Sequence, residues 1–338
     1  MRDGISRPVV VTAADRRAIL PALALIQSLA LNSQGTRLLL LAIGLVRQEE
    51  SRLLDLATGA GLDLQIVPMD PACLQGATLR SSHLSRAAYA RLFLPQTLLH
   101  LDRVIWLDAD TLVLSDLVPL WETNLEGALI AAVPDDFIDA EEIAATGSRK
   151  GAYCNSGVMV VDLARWRRDG LQTQALELMT RPDLICEDQS VLNRLCVGQI
   201  KLLDARWNFH AGRFAEYMPA QRRVAPAILH YCGARKPWRE PVPFGDVFLS
   251  YLPNADRIRI AEGFERKSRF RRAKLLWRRL FGLVAFRKKH WRATAAAAVL
   301  KLAERRVKRR RNAAGRVWTI MAGGHGHPVI RPDTFDDP

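Results

Sequence analysis

The chain has 338 residues, 49% of them hydrophobic and 25% charged, with a formal net charge of +14 at pH 7. That is a globular composition with room for one large domain and an appendage, or for two domains, and it excludes a chiefly disordered chain. The charge is uneven: residues 256–316 carry 22 Lys/Arg against 4 Asp/Glu, whereas residues 1–255 are near neutral. A basic block of this kind points to an anionic partner, either a membrane surface or a nucleic acid. Five cysteines (Cys73, Cys154, Cys186, Cys196 and Cys232) make an odd set without C-x-x-C spacing, which argues for reduced thiols and against a disulfide framework or a zinc site. Met1–Arg7 offers no apolar signal core, and no run reaches the 18 apolar residues of a spanning helix. The expectation is a chain kept in the cytosol.

Pro8–Thr12 reads as a first strand leading into Ala13-Ala14-Asp15. Over Arg16–Asn32, Ile19, Leu23, Ile26, Leu29 and Ala30 recur at helical spacing. Arg37–Val46 is an almost wholly apolar second strand, Gln48–Thr58 a helix closed by Gly59 and Gly61, and Leu62–Val67 a third strand stopped by Pro68. This alternation predicts an α/β fold with a parallel, doubly wound sheet. No G-x-G-x-x-G follows the first strand, so a bound nucleotide needs its phosphates held some other way, and a metal does that. Ser85–Leu98 reads as a helix capped by Ser85; Arg91 on it is either an exposed charge or a cation near phosphate or sugar.

Val104–Leu107 is a buried strand followed by Asp108-Ala109-Asp110-Thr111. In extended backbone, residues i and i+2 share a face. The two carboxylates then converge at the carboxyl end of a strand, where open α/β sheets place ligands. Such hard oxygen donors suit Mg²⁺ or Mn²⁺; the plain alternative is a solvated strand end.

Leu129–Val133 is another strand, ending in Pro134-Asp135-Asp136, and Phe137–Lys150 reads as a polar lid or acceptor loop. Cys154–Gly157 is a turn feeding Val158–Val161; Asn155 in it either turns the chain or offers its amide to a sugar hydroxyl. Leu163–Met179 is a helical stretch, and Glu187–Asn193 a helix start with acids in its first turn, where Asp188 and Gln189 could be simply the cap. Leu202–Asn208 is a short strand and turn. Ile228–His230 is an apolar strand followed by a glycine turn, with Lys236 six residues beyond His230. His230 is the natural third ligand for the aspartate pair, and Lys236 can reach a phosphate as a point charge.

From Asp256 to Arg316 the chain is helical by composition, with Phe270, Trp277, Phe281, Phe286 and several leucines among Arg and Lys. That is the composition of a helix lying on an anionic membrane surface. Nucleic acid fits less well, because the aromatics cluster with aliphatics instead of forming a stacking platform. The organisation expected is a domain over 1–255, a membrane-association segment over 256–316 and a disordered tail over 317–338.

These motifs, in their order, resemble the retaining glycosyltransferases of family 8, and most of all the lipopolysaccharide α-galactosyl- and α-glucosyltransferases. The matching pieces are Ala13-Ala14-Asp15; His83 and Tyr89–Leu92; Leu107–Asp110; Asn155–Val158; Arg165–Arg167; Asp188-Gln189 with Leu192-Asn193; Trp207–Phe209; and His230–Gly233 with Lys236–Trp238. The resemblance implies a GT-A fold, Rossmann-like with a mostly parallel central sheet. It also implies a UDP-sugar donor, UDP-galactose or UDP-glucose, and Mn²⁺ or Mg²⁺. By it, Asp108, Asp110 and His230 bind the metal, and Gly233 and Lys236 hold the diphosphate. Ala13 and Asp15 take the uracil and ribose side, while Arg91, Asp135, Asn155, Asp188 and Gln189 line the donor sugar, with Asp188 and Gln189 nearest the chemistry. Where the family commonly has Asn and an aromatic after the first Asp, this chain has Arg16, Arg17 and Ala18.

The function expected is metal-assisted transfer of a hexose, with retention, to a saccharide acceptor, lipid-linked in lipopolysaccharide or other cell-surface glycan synthesis, at the inner face of the membrane. Two rivals stand beside it. Asp108-Ala109-Asp110-Thr111 also fits the D-x-D-x-T of aspartyl-phosphate-type phosphatases and phosphotransferases, with Asp108 as nucleophile. The basic extension alone fits a membrane-binding adaptor.

Overall fold

In a computed structural model of the chain, residues 7–77, 79, 85–211, 224–266, 318–322 and 328–332 are described. They fall into two units, Met1–Pro253 and Asn254–Pro338.

The first unit is built on a seven-stranded sheet. In chain order its strands are β1 (Val9–Ala14), β2 (Arg37–Ile43), β3 (Asp63–Met69), β4 (Arg103–Leu107), β6 (Ile130–Pro134), β7 (Cys154–Asp162) and β8 (Ile200–Leu202). A smaller sheet combines β5 (Thr111–Val113), β9 (Phe209–His210) and β10 (Ile228–His230). The large sheet runs β3-β2-β1-β4-β7-β6-β8. It is mostly parallel; β7 alone among these strands runs antiparallel to its neighbours β4 and β6. The strand order reverses between β1 and β4, which makes a crevice at their carboxyl ends, the place where open α/β sheets bind ligands.

The apolar runs explain the centre. Val10 and Val11 of β1, Leu38–Leu41 of β2 and Val104–Leu107 of β4 are buried on both faces, as parallel strands covered by helices require. Helix Ile19–Asn32 covers one face with Leu23, Leu25, Ile26 and Leu29, all fully buried. Helix Arg47–Ala60 ends on Gly61, whose φ of 72° is the left-handed cap a glycine adopts without strain.

Several boundaries differ from the sequence expectation, each for a physical reason. Pro68 does not stop the third strand: β3 is the sheet edge, where a missing N–H breaks no ladder bond, and Pro68 pairs in register with Ala42. Ser85 is the expected cap, its hydroxyl accepting from the Ala87 N–H, but Arg86–Phe93 winds as a 3₁₀ helix before a short α turn at Leu94–Thr97. Tyr89–Phe93 are all buried, so that segment has no polar face to show. The stretch expected as one helix over Leu163–Met179 is two, Leu163–Arg168 and Leu171–Met179, broken at Gly170 with φ 63°. The polar loop Phe137–Lys150 contains helix Ala140–Thr146, begun by the Asp139 carboxylate accepting from the Glu142 N–H and closed at Gly147. Cys154–Gly157, expected as a turn, is the first part of β7.

In the second unit, residues 254–266 are helical. Most of the basic segment 256–316 lies outside the described residues. Within 317–338, expected to be disordered, β11 (Trp318–Ala322) and β12 (Pro328–Pro332) pair antiparallel. Among the described residues, no helix is long and apolar enough to cross a membrane.

Candidate functional site

The aspartates meet by a turn, not by extended backbone. Strand β4 ends at Leu107; the Thr111 N–H then bonds back to the Asp108 carbonyl at 3.0 Å, and the Thr111 hydroxyl donates to the same oxygen at 2.8 Å. The small sheet brings the histidine. Antiparallel pairing of β10 with β5 sets His230 opposite Thr111, and the Tyr231 N–H donates to the Asp110 carbonyl at 3.0 Å. As a result His230 Nε2 lies 3.4 Å from Asp110 Oδ1 and 3.6 Å from Asp108 Oδ2.

This cluster fits a divalent cation. One ligand atom from each of Asp108, Asp110 and His230 lies within 4.8 Å of the others. Two carboxylate oxygens and an imidazole nitrogen suit Mn²⁺ or Mg²⁺. His230 is oriented from behind: its Nδ1 donates to Asn208 Oδ1 at 2.9 Å, which leaves Nε2 facing the carboxylates. The space is kept open by Gly157, where a Cβ would fall 2.2 Å from His230 Cε1 and 2.9 Å from Asp108 Oδ2.

Two cations sit on this acidic centre. Lys236, mostly buried, places Nζ 2.5 Å from Asp110 Oδ2 and donates to the Tyr231 carbonyl at 2.8 Å. Burial pushes the Asp110 carboxyl up, but Lys236 and His230 outweigh it and hold the group well below the usual carboxylate range. Burial pulls the His230 imidazole down, and the hydrogen bond and charge of Asp110 more than reverse that. Arg91, only 4% exposed, reaches Asp108 Oδ1 at 2.6 Å through Nη2 and Asp188 Oδ2 at 3.0 Å through Nε, and donates from Nη1 to the Ser156 hydroxyl at 2.7 Å. Its guanidinium stacks over Trp106, whose Nε1 also donates to Asp108 Oδ1 at 2.9 Å. Arg91 is therefore not the exposed helix charge that was its alternative.

Asp188 and Gln189 begin helix Glu187–Leu195, entered through Glu187 at φ 48°. The Asp188 carboxylate accepts from the Ser156 hydroxyl at 3.1 Å. Burial pushes it up to about 6, with Arg91 pulling it down and Asp108 pushing it further up. Gln189 and Asn155 bind each other and Asp135: Asn155 Nδ2 donates to Gln189 Oε1 at 3.0 Å and to Asp135 Oδ2 at 3.2 Å, and Gln189 Nε2 donates to Asp135 Oδ2 at 3.2 Å. On the other wall the Asp15 carboxylate accepts from the Arg17 N–H at 2.8 Å, and Ala13 lies one residue before the end of β1. The two arginines that follow Asp15 diverge. Arg16 turns away to Glu49, at 3.0 Å, while Arg17 lines the cleft. Gly233 sits at φ 82° in the turn between His230 and Lys236.

All of these residues line one cleft of about 440 Å³: Ala13, Asp15, Arg91, Asp108, Asp110, Asp135, Asn155, Asp188, Gln189, His230, Gly233 and Lys236. Sequence reasoning gave no role to Asn208, which bridges His230 to Asn155 Oδ1 at 2.8 Å, or to His210, beside His230 in the parallel β9–β10 pairing. Trp207-Asn208-Phe209 stood among the matched motifs, the one signal for Asn208; nothing marked His210.

The family model described as Glycosyl transferase family 8 matches residues 9–241. The chain belongs to that family. It is 28% identical over 229 residues to General stress protein A of Bacillus subtilis, a match over 62% of this chain and 79% of that protein. It is 33% identical over 169 residues to the lipopolysaccharide 1,2-glucosyltransferase of Escherichia coli, covering 46% of this chain and 50% of that one. The chain spans 38 to 79% of the length of the curated relatives it matches. Among solved structures, an active-site mutant of LgtC superposes with a TM-score of 0.66 at 25% identity, covering 74% of this chain and 99% of that chain. LgtC is described as a galactosyltransferase in a complex with donor and acceptor sugar analogs. The family 8 chain described here accordingly has a GT-A fold and is a glycosyltransferase. The phosphotransferase and adaptor alternatives fall with that membership.

Proposed function

We propose that this family 8 enzyme is a metal-dependent, retaining hexosyltransferase that moves galactose or glucose from UDP to a saccharide of lipopolysaccharide or another cell-surface glycan. The observation that carries this is the Asp108–Asp110–His230 cluster, with Lys236 and Arg91 on either side of it in one cleft. Support for the donor and acceptor classes comes from LgtC, a galactosyltransferase, and the Escherichia coli glucosyltransferase.

Asp108, Asp110 and His230 would hold Mn²⁺ or Mg²⁺. When bound, the ion supplies Lewis-acid neutralisation of the departing diphosphate. The chain's own residues do the rest. Lys236 adds a fixed positive charge where the UDP leaves, and the backbone turn at Gly233 lets the phosphates approach. Ala13, Asp15 and Arg17 face the uridine. Asp135, Asn155 and Gln189 form one hydrogen-bonded set that grips sugar hydroxyls and excludes water. Asp188 and Gln189 stand at the reacting carbon, where Arg91 and Ser156 fix the Asp188 carboxylate to face an oxocarbenium-like centre. The basic segment 256–316 places the enzyme on an anionic membrane, at the inner face where a lipid-linked acceptor is built.

A panel of UDP-sugars, each assayed for free UDP with Mn²⁺ or EDTA, tests this. Mn²⁺-dependent release from UDP-galactose or UDP-glucose is expected; equal release with EDTA would contradict it.

A further inference from the structure

We propose that His210, His230 and Cys232 form a second cation site, for a thiophilic divalent ion of the Zn²⁺ class, which competes with the Asp108–Asp110 site by taking His230 from it. One ligand atom from each of the three residues lies within 4.8 Å of the others. Chain spacing hides the cluster, because strand pairing builds it. In the parallel β9–β10 ladder His230 is the register partner of His210, and Cys232 follows His230 by two residues, just past the end of β10. The two imidazole rings meet edge-on with centroids 5.8 Å apart.

The donor chemistry separates the two sites. Two imidazoles and a thiolate are the borderline-soft set that selects Zn²⁺, whereas the aspartate oxygens suit Mn²⁺ and Mg²⁺. Three protein ligands with a fourth position left to water is the form of an open zinc site. His210 and His230 are buried, while Cys232 is half-exposed on the cleft wall, so an ion reaches the site through the cleft itself.

Exclusivity comes from His230. Its Nδ1 is engaged by Asn208, so Nε2 is the nitrogen left for a cation, and one lone pair serves one cation. An ion on Cys232 and His210 therefore draws His230 off the aspartates and switches donor turnover off. This competition rests on the role proposed above for His230; occupation of the site does not.

The test uses the full chain and Cd²⁺ as a spectroscopic stand-in for Zn²⁺, read by the ultraviolet thiolate-to-cadmium charge-transfer band. The band should saturate near one equivalent, persist in C73S, which lacks the exposed thiol, vanish in C232S and weaken at least tenfold in affinity in H210Q. Excess Mn²⁺ should displace it. In parallel, Zn²⁺ at fixed Mn²⁺ should inhibit UDP release, with the half-inhibiting concentration at least tenfold higher in C232S, each variant being scored against its own uninhibited rate. A band that survives in C232S, or that Mn²⁺ leaves unchanged, would overturn the proposal. Mn²⁺-dependent UDP release in the absence of Cd²⁺ reports separately on the Asp108–Asp110 assignment.

Discussion

At the scale of single residues, the site is a balance of buried charges. Lys236 neutralises Asp110 in the resting protein and, in the role proposed for it, the leaving diphosphate in the reaction. Lys236→Met should lower kcat/KM for UDP release about 100-fold, the loss typical when one preorganised charge-stabilising donor is removed. Steady-state kinetics on the preferred UDP-sugar checks this, and a change below threefold would remove Lys236 from the machinery. Asp188 gives a pH signature. Its carboxyl is lifted from near 3.8 to about 6, mainly by burial. Between those values the folded chain holds a proton that the unfolded chain has released. Stability is thus fully present at the acid end and lost as pH rises through about 6, by about 3 kcal/mol in all. Asp188→Asn should abolish that slope. Denaturant melts of metal-free protein between pH 4.5 and 7 measure it, and equal slopes in both proteins would refute the assignment.

At the scale of elements, function depends on how strands and short helices lock together. Gly157 lies where β7 passes the aspartate turn, and a methyl group there has no space beside His230. Gly157→Ala should destabilise the fold by about 1–3 kcal/mol and weaken Mn²⁺ binding at least tenfold, as titration of the folded variant would show. A second lock joins helix Ala140–Thr146 to the helix carrying Asp188 and Gln189. Buried Glu142 accepts from the Tyr153 hydroxyl at 2.8 Å, the Ser190 hydroxyl at 2.5 Å and the Ile185 N–H at 3.3 Å. Glu142→Ala strands those donors and should cost about 1–3 kcal/mol; an unchanged melting curve would contradict the lock.

The elements also show what a sequence makes legible. β1, β2 and β4 are readable because strands buried on both faces must be apolar throughout. Asp108, Asp110, His230 and Lys236 are readable because each ends or closely follows an apolar strand. Helix Ala140–Thr146 escaped because its cap, Asp139, sits among other acids that read as loop. The 3₁₀ winding of Arg86–Phe93 has no periodic signature distinct from a short α-helix. Asn208 and His210 stayed without a role because their partners lie across strands, a register that the chain does not spell out.

At the scale of the whole molecule, the cleft sits where the strand order reverses, fed by β1 and β4 of the large sheet and by β5 and β10 of the small one. This is one folded unit, Met1–Pro253, and the basic segment follows it. The proposed membrane role of residues 256–316 assigns the two pieces separate tasks. A chain ending at residue 255 should keep Mn²⁺-dependent UDP release within about threefold, yet lose co-sedimentation with anionic vesicles; the full chain should bind them and come off as salt rises. Vesicle binding by the shortened chain would move the membrane contact into the catalytic unit.

The central claim is that Asp108, Asp110 and His230 hold the cation on which donor turnover depends. UDP release by wild-type enzyme and by Asp110→Asn, across a Mn²⁺ titration, tests it most directly. The account predicts a rate that rises from near zero with Mn²⁺ in the wild type and stays at least 100-fold lower in the variant at every concentration. A variant that matches the wild-type rate at the same Mn²⁺ would contradict it.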